Sequence, residues 1–255
     1  MKENKIWNDY LPEDMQEHWT VYECLKESED SSTFLVKETA TGILCVLKWG
    51  RNRQTEFLRN EMEIMKKMAD RKLSGIPKAY RIFEENGEVY LVREYIEGMS
   101  LAQMVLQKGG ISEAEICRIS RKICQTAEQF QNPDETMIHR DIKPENIVVT
   151  PGGEVVFIDF GTMRSYKKDG SRDTFVVGTR GTAAPEQYGY TQTDQRTDVY
   201  AIGQTMLYMV SESYEMNQLS ECAVSRRMKK IIEKACSFEP DKRYTDASEL
   251  SRAIE

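Results

Sequence analysis

Long apolar runs are missing from these 255 residues. A membrane-crossing helix needs roughly 20 consecutive apolar residues, and the runs here are short, such as Val155-Val156-Phe157-Ile158. The N-terminus also lacks the apolar core of a signal peptide. Both absences predict a soluble, cytoplasmic chain with no membrane segment. A basic excess is missing too: 35 Lys and Arg face 42 Asp and Glu, for a net charge of −7. That balance argues against a protein whose main task is gripping nucleic-acid phosphates. Histidine is scarce, with only His18 and His139, and the six cysteines contain no Cys-x-x-Cys pair. A structural zinc site is therefore not expected. Cys24, Cys45, Cys117, Cys124, Cys222 and Cys236 read instead as small core residues of a reducing compartment. Repeats and low-complexity stretches are absent as well. What is present is 40% apolar residues, enough for a sizeable core. The length allows one large domain or two small ones.

Texture changes near Gly98. Before it, Val21–Leu25, Thr33–Lys37 and Ile43–Lys48 read as strands, with a Thr41-Gly42 hairpin turn between the second and third. Asn86-Gly87 is a stronger hairpin signal and joins Ala79–Glu84 to Glu88–Tyr95. Arg53 to Ala69 is predicted as a helix, with Phe57, Met62, Met65 and Met68 near one face. This half is predicted as a five-stranded antiparallel sheet with a single helix. After Gly98 the pattern turns mostly helical. Ser112-x-x-Glu115 has the form of a capping box, followed by Ile116, Ile119, Ile123, Ala127 and Phe130 at helical spacing. Thr197 to Val210, Ser225 to Ser237 and Thr245 to Ile254 are further helices, the first apolar enough to be buried. Ile147–Thr150 and Val155–Ile158 are short strands around Pro151-Gly152-Gly153. A small β-rich lobe and a larger helical lobe imply a cleft between them.

The stretch His139-Arg140-Asp141-Ile142-Lys143-Pro144-Glu145-Asn146 is followed by that hairpin and then by Asp159-Phe160-Gly161. Phosphoryl transfer needs a carboxylate to orient the hydroxyl nucleophile, oxygen ligands for Mg²⁺, and a cation against the transferring group. Asp141, Asn146, Asp159 and Lys143 can supply all of these, because the hairpin can return Asp159 beside Asn146.

These two motifs resemble the catalytic loop and metal-binding motif of the eukaryotic-type (Hanks-type) protein kinase family, closest to its Ser/Thr branch and to compact bacterial members. The resemblance covers about Trp19 to Ile254. It implies an α+β, bilobal protein-kinase-like fold, with a small antiparallel β lobe bearing one helix and a larger mainly helical lobe. Residues 1–18 are then an N-terminal extension, about 19–97 the small lobe and about 98–255 the large one. By resemblance, Asp141 is the catalytic base, Lys143 contacts the γ-phosphate, and Asn146 and Asp159 bind Mg²⁺, with Mn²⁺ as an alternative. Cys45-Val46-Leu47-Lys48 resembles the third-strand lysine motif, so Lys48 contacts the α- and β-phosphates of ATP. Glu61 is its preferred partner and Glu63 the competitor. Backbone groups of Glu94 and Ile96 face adenine, and Ser100 reaches for ribose. Gly178 to Glu186 looks like the end of an activation segment, with Thr182 in place of the usual Tyr. Glu186 is expected to pair with Arg243, and Asp198 to fix the catalytic-loop backbone. Lys143 and Thr179 are the Ser/Thr-kinase form, which makes protein Ser/Thr hydroxyls the acceptors.

Three departures stand out. The glycine-rich loop is missing: Lys26, Ser28 and Ser31 occupy its glycine positions, among Glu27, Glu29 and Asp30. Ser28 and Ser31 partly substitute for glycine at the phosphates. The segment is either a solvated hairpin tip or a weakened nucleotide site. Arg93 falls just before the hinge, where a buried cation needs a partner unless a one-residue shift turns it away. The stretch from Glu186 to Arg243 is short for the family, and Ser211 to Val224 has poor helical periodicity. For regulation, Arg140 is placed to bind a phosphorylated residue of the loop Thr162–Val177, with Thr174 or Ser171 as autophosphorylation sites. Residues 1–18, with Trp7, Tyr10 and Leu11, either dock on the small lobe or form a disordered tail. The reading is an ATP- and Mg²⁺-dependent protein Ser/Thr kinase. The alternative is a scaffold or binding module with a weakened nucleotide site.

Overall fold

A computed structural model of the chain describes residues 11–131, 135–166, 178–179, 181–189 and 192–255. Trp7, Tyr10, Ser171 and Thr174 lie outside the described residues. The chain divides into two compact units, one formed by residues up to 72 and 76–96, the other by 73–75 and 97–255.

The first unit opens with a short helix, α1 (Glu13–Gln16), and continues as β1 (Trp19–Glu27), β2 (Ser31–Glu38), β3 (Leu44–Gly50), α2 (Gln54–Asp70), β4 (Ala79–Glu85) and β5 (Glu88–Glu94). Its antiparallel sheet has the order β1-β2-β3-β5-β4. Both predicted hairpins form. Asn86 (φ 51°) and Gly87 (φ 81°) take the two left-handed positions of a tight β4–β5 turn, which explains that residue pair.

Strand alternation gives the sheet two apolar faces. Phe34, Val36, Cys45, Leu47, Tyr90 and Val92 form one cluster with Trp19, and Leu11 and Met15 pack into the same cluster. Residues 11–18 therefore dock on the sheet. Val89 and Leu91 point to the other face and meet Leu58 and Met62 of α2. Each such side chain contributes roughly 1.5–3 kcal/mol on full burial. Lys48 alternates with Cys45 and Leu47, so it emerges on the α2 face. Arg93 shares that parity with Leu91. It is 3% exposed, so its guanidinium is buried. Its Nη1 donates to the Glu94 carbonyl at 3.0 Å.

The second unit comprises β6 (Met99–Ser100), α3 (Leu101–Lys108), α4 (Glu113–Glu128), β7 (Met137–Ile138), β8 (Ile147–Val149), β9 (Val155–Phe157), β10 (Arg164–Ser165), α5 (Gln195–Ser211), α6 (Arg226–Ala235) and α7 (Ala247–Ile254). Three strands pair in the order β6-β8-β9, and β7 pairs with β10. Helix α5 is buried over most of its surface, as its composition predicts. Side chains cap four helices of this unit: Ser112 for α4, Asp194 for α5, Ser225 for α6 and Asp246 for α7. The capping box at α4 forms only in part. Ser112 accepts from the Glu115 N–H at 3.3 Å, but the Glu115 carboxylate turns to Lys108 at 2.8 Å. After α5, the weakly periodic segment holds one 3₁₀ stretch, Met216–Glu221. No disulfide joins the six cysteines. Cys45 and Cys124 are buried and the other four are half-buried, so the core reading holds fully for only two.

Candidate active site

In the first unit, Lys48 Nζ donates to both carboxylate oxygens of Glu61 at 2.8 Å. Residue spacing explains the choice of Glu61 over Glu63. Glu61, Met62, Met65 and Met68 share the buried side of α2, whereas Glu63 faces solvent and lies 3.6 Å from Lys67. Both Lys48 and Glu61 are buried, at 9% and 1% exposure, so each charge depends on the other. At the β1–β2 turn, Ser28 N–H donates to the Ser31 carbonyl at 2.8 Å, and the two hydroxyls hydrogen-bond at 2.8 Å. Glu94 N–H donates to the Lys78 carbonyl at 2.8 Å and its carboxylate accepts from Lys78 N–H at 3.0 Å. Ile96, half-buried, ends this unit.

In the second unit, Asp141, Lys143, Asn146 and Thr179 form one hydrogen-bonded ring. Thr179 Oγ1 donates to Asp141 Oδ1 at 2.7 Å and accepts from Lys143 Nζ at 2.6 Å. Lys143 Nζ also donates to Asp141 Oδ2 at 2.8 Å, as does Asn146 Nδ2 at 2.8 Å. The β8–β9 hairpin starts directly after Asn146, and Ile158 N–H donates to the Asn146 carbonyl at 3.0 Å. That pairing brings Asp159 next to Asn146. Asp159 Oδ1 accepts from Gly161 N–H at 3.2 Å.

The backbone of His139 and Arg140 is held by α5. Asp198, in the first turn of α5, accepts from His139 N–H and Arg140 N–H, both at 2.9 Å. These bonds hold Arg140 in a left-handed conformation (φ 68°), uncommon for a non-glycine residue. Burial pushes the Asp198 carboxyl up to about 6, against the two N–H donors that favour the charged form. His139 is buried among Phe130, Phe157 and Phe160. Loss of hydration pulls its imidazole down to about 4, so it stays neutral at pH 7. Its Nδ1 accepts from Asp141 N–H at 3.3 Å, which leaves the proton on Nε2. Arg140 Nε donates to the Thr162 carbonyl at 2.7 Å.

Glu186 and Arg243 pair as predicted, at 2.7 and 2.9 Å, and Thr197 Oγ1 donates to the same carboxylate at 2.8 Å. The neighbouring Gln187 donates to the Arg140 carbonyl at 2.8 Å. This ties the segment carrying Thr179 to the loop that carries Asp141. Gly178 allows the close approach, because a Cβ there would sit 2.5 Å from Ala183 Cβ at φ 150°.

Two features escape the sequence reading. Thr179 is recognised there as a residue type, but its bridge between Asp141 and Lys143 is a tertiary contact with no local signal. Ser100, predicted at ribose, accepts from Gln103 N–H at 3.1 Å as the N-cap of α3, while Gln103 returns to Ser100 N–H at 3.1 Å. The Ser-x-x-Gln spacing is the signal that identifies this capping box.

No group of three or more His, Cys, Asp or Glu among the described residues could hold a metal by itself. A Mg²⁺ ion commonly uses one or two protein oxygens and completes its shell with phosphates and water. One carboxylate and one side-chain amide oxygen, from adjacent Asp159 and Asn146, fit that demand.

The family model described as a protein kinase domain matches residues 20–254. Serine/threonine-protein kinase D of a Synechocystis strain is 29% identical over 253 residues, covering 87% of this chain and 48% of that protein. A serine/threonine-protein kinase of Schizosaccharomyces pombe is 25% identical over 233 residues, covering 80% of this chain and 49% of its own. A probable serine/threonine-protein kinase of Clostridium perfringens is 35% identical over 147 residues, covering 57% of this chain and 21% of its own. The chain thus spans half or less of the curated relatives it matches.

Proposed function

The chain belongs to the protein kinase family, and from that premise we propose that it transfers the γ-phosphate of ATP to Ser or Thr hydroxyls of protein substrates. Residues 19–255 serve as the catalytic domain. The observation that carries the reading is the Asp141 carboxylate, oriented by Thr179, Lys143 and Asn146 rather than left in solvent. Such a carboxylate orients the acceptor hydroxyl and takes its proton. Lys143 stands 2.8 Å from Asp141 and supplies positive charge beside the incoming phosphoryl group. Lys48, fixed by Glu61, serves the α- and β-phosphates, and Ser28 and Ser31 stand where the phosphates approach the β1–β2 turn. The Glu94 carbonyl, which keeps a lone pair beside the one that accepts from Arg93, and the Ile96 backbone offer groups to adenine. The Ser100 hydroxyl accepts its capping bond and still has a proton to donate to ribose. Asn146 and Asp159 would hold Mg²⁺ (or Mn²⁺), which when bound neutralises phosphate charge. Autophosphorylation of Thr174 or Ser171, read out by Arg140, is the proposed control of activity. No helix among the described residues is long and apolar enough to cross a membrane.

Mg-ATP turnover with a generic protein acceptor tests the reading. Asp141→Asn is expected to lower turnover roughly 100- to 10,000-fold while nucleotide binding persists. A wild-type chain with neither turnover nor a nucleotide-induced thermal shift overturns it. Binding without turnover in the wild type favours the scaffold, for which the glycine-free turn is the supporting observation.

A further inference from the structure

Glu27 ends β1 and the β1–β2 turn carries Glu29 and Asp30, yet the proposed function brings the ATP phosphates to it. Like charges at close range oppose such binding unless a countercharge is fixed nearby. The loop after β3 provides one. Arg51 Nε donates to Asp30 Oδ1 at 3.1 Å, and Arg51 Nη2 donates to the Glu29 carbonyl at 2.9 Å. Arg51 N–H donates to the Asp30 carbonyl at 3.0 Å. Asn52 Nδ2 reaches the same Asp30 Oδ1 at 2.9 Å, with Asn52 in a left-handed conformation (φ 53°). The guanidinium also lies 5.8 Å from the Trp49 ring, whose indole N–H is tied to Glu88 at 2.8 Å. Four hydrogen bonds thus fasten the acidic end of the turn to the β3–α2 loop. The Ser28–Ser31 bonds close its other end.

We propose that Arg51 is a positioning residue for the nucleotide. It holds the Asp30 carboxylate on the β3–α2 loop and offsets the turn's charge, so that a glycine-free acidic turn can lie against phosphates. The inference rests on the kinase reading but concerns a residue outside the motifs that support it. Side chains of Arg51 and Asp30 are 45% and 42% exposed, so the pair contributes little to folding and its loss leaves the domain folded.

Nucleotide affinity measured by calorimetry tests this on four chains: wild type, Arg51→Ala, Asp30→Asn and the double variant. Arg51→Ala is expected to weaken Mg-ATP binding about fivefold, with the effect shrinking in high salt. Adenosine, which has no phosphate, is expected to bind all four within about twofold of each other. The double variant restores the wild-type charge of the turn and is expected to recover most of the lost affinity. A merely structural clamp predicts the opposite, since Asp30→Asn then mimics Arg51→Ala and the double variant gains nothing. Arg51→Lys, which keeps the charge, is expected to bind within about twofold of wild type and covers the case of an unstable alanine variant. Unchanged Mg-ATP affinity in Arg51→Ala, or no recovery in the double variant, overturns the proposal while the kinase reading stands. A wild type that binds no Mg-ATP overturns the kinase reading itself.

Discussion

Replacing Arg243 by alanine is expected to destabilise the helical unit by about 3–5 kcal/mol, the range for stripping one partner from a buried ion pair. The Arg243 side chain is 0% exposed and all five of its N–H groups are engaged. Two go to the Glu186 carboxylate, and the others go to the carbonyls of Ser237, Arg196 and Phe238 at 2.8, 3.0 and 3.0 Å. The guanidinium also stacks 4.8 Å from the Tyr200 ring. Alanine leaves a buried carboxylate with only the Thr197 hydroxyl, and three carbonyls that lose a donor. Total stability of a domain is about 5–15 kcal/mol, so this single change consumes a large fraction of it. Urea unfolding followed by far-UV circular dichroism measures the loss. With slopes of about 1–3 kcal/mol/M, the midpoint falls by about 1 M or more. Arg243→Lys keeps the charge without the fork and is expected to lose about half as much. A loss below 1 kcal/mol for Arg243→Ala refutes the argument that this pair is desolvated and mutually dependent.

Two further outcomes follow from other parts of the molecule. His139 takes up a proton near 6.5 in the unfolded chain but only near 4 when folded, so its contribution to stability is lost as pH falls between these values. By pH 5 the loss is about 2 kcal/mol. Asp198 acts in the opposite sense, because the folded chain binds its proton first, near 6. Urea unfolding of wild type and His139→Phe at pH 7 and pH 5 isolates the histidine, and the variant is expected to lose about 2 kcal/mol less on acidification; equal losses refute the burial argument. Met15, 1% exposed, is expected to cost about 2–4 kcal/mol on replacement by alanine. A thermal melt unchanged in Met15→Ala refutes the docking of residues 11–18 as part of the sheet core.

The first unit was readable because its signals are local. Alternating strands, an Asn-Gly turn and a helix with Met at recurring positions each report on their own neighbourhood, and boundaries moved by only one or two residues. The preference for Glu61 over Glu63 came from the family resemblance together with its register on the helix, and the Lys48–Glu61 pair bears it out. Lys143, Asn146 and Asp141 were legible as a motif, but their closure through Thr179 was not, because 38 residues separate the donor from Asp141. The strand β6 was lost for a different reason: two residues carry no periodicity, and the Ser-x-x-Gln cap that marks α3 went unread beside it. Leu11 and Met15 could not be assigned because isolated apolar residues in a polar segment do not reveal which surface they cover. The Arg51 clamp joins two loops 21 residues apart, each of which reads alone as a solvated turn.

The hydroxyl of Thr179 takes one of the lone pairs of the Asp141 carboxylate. An ionised carboxylate offers about four acceptor directions. On Asp141, Oδ2 accepts from Lys143 and Asn146, and Oδ1 accepts from Thr179. One direction on Oδ1 is left, and under the proposed function it is where an acceptor hydroxyl would point its proton. The site thus admits one donor at a time, in one orientation. Under that function, selection of a correctly presented hydroxyl over bulk water would begin with that shortage of acceptors.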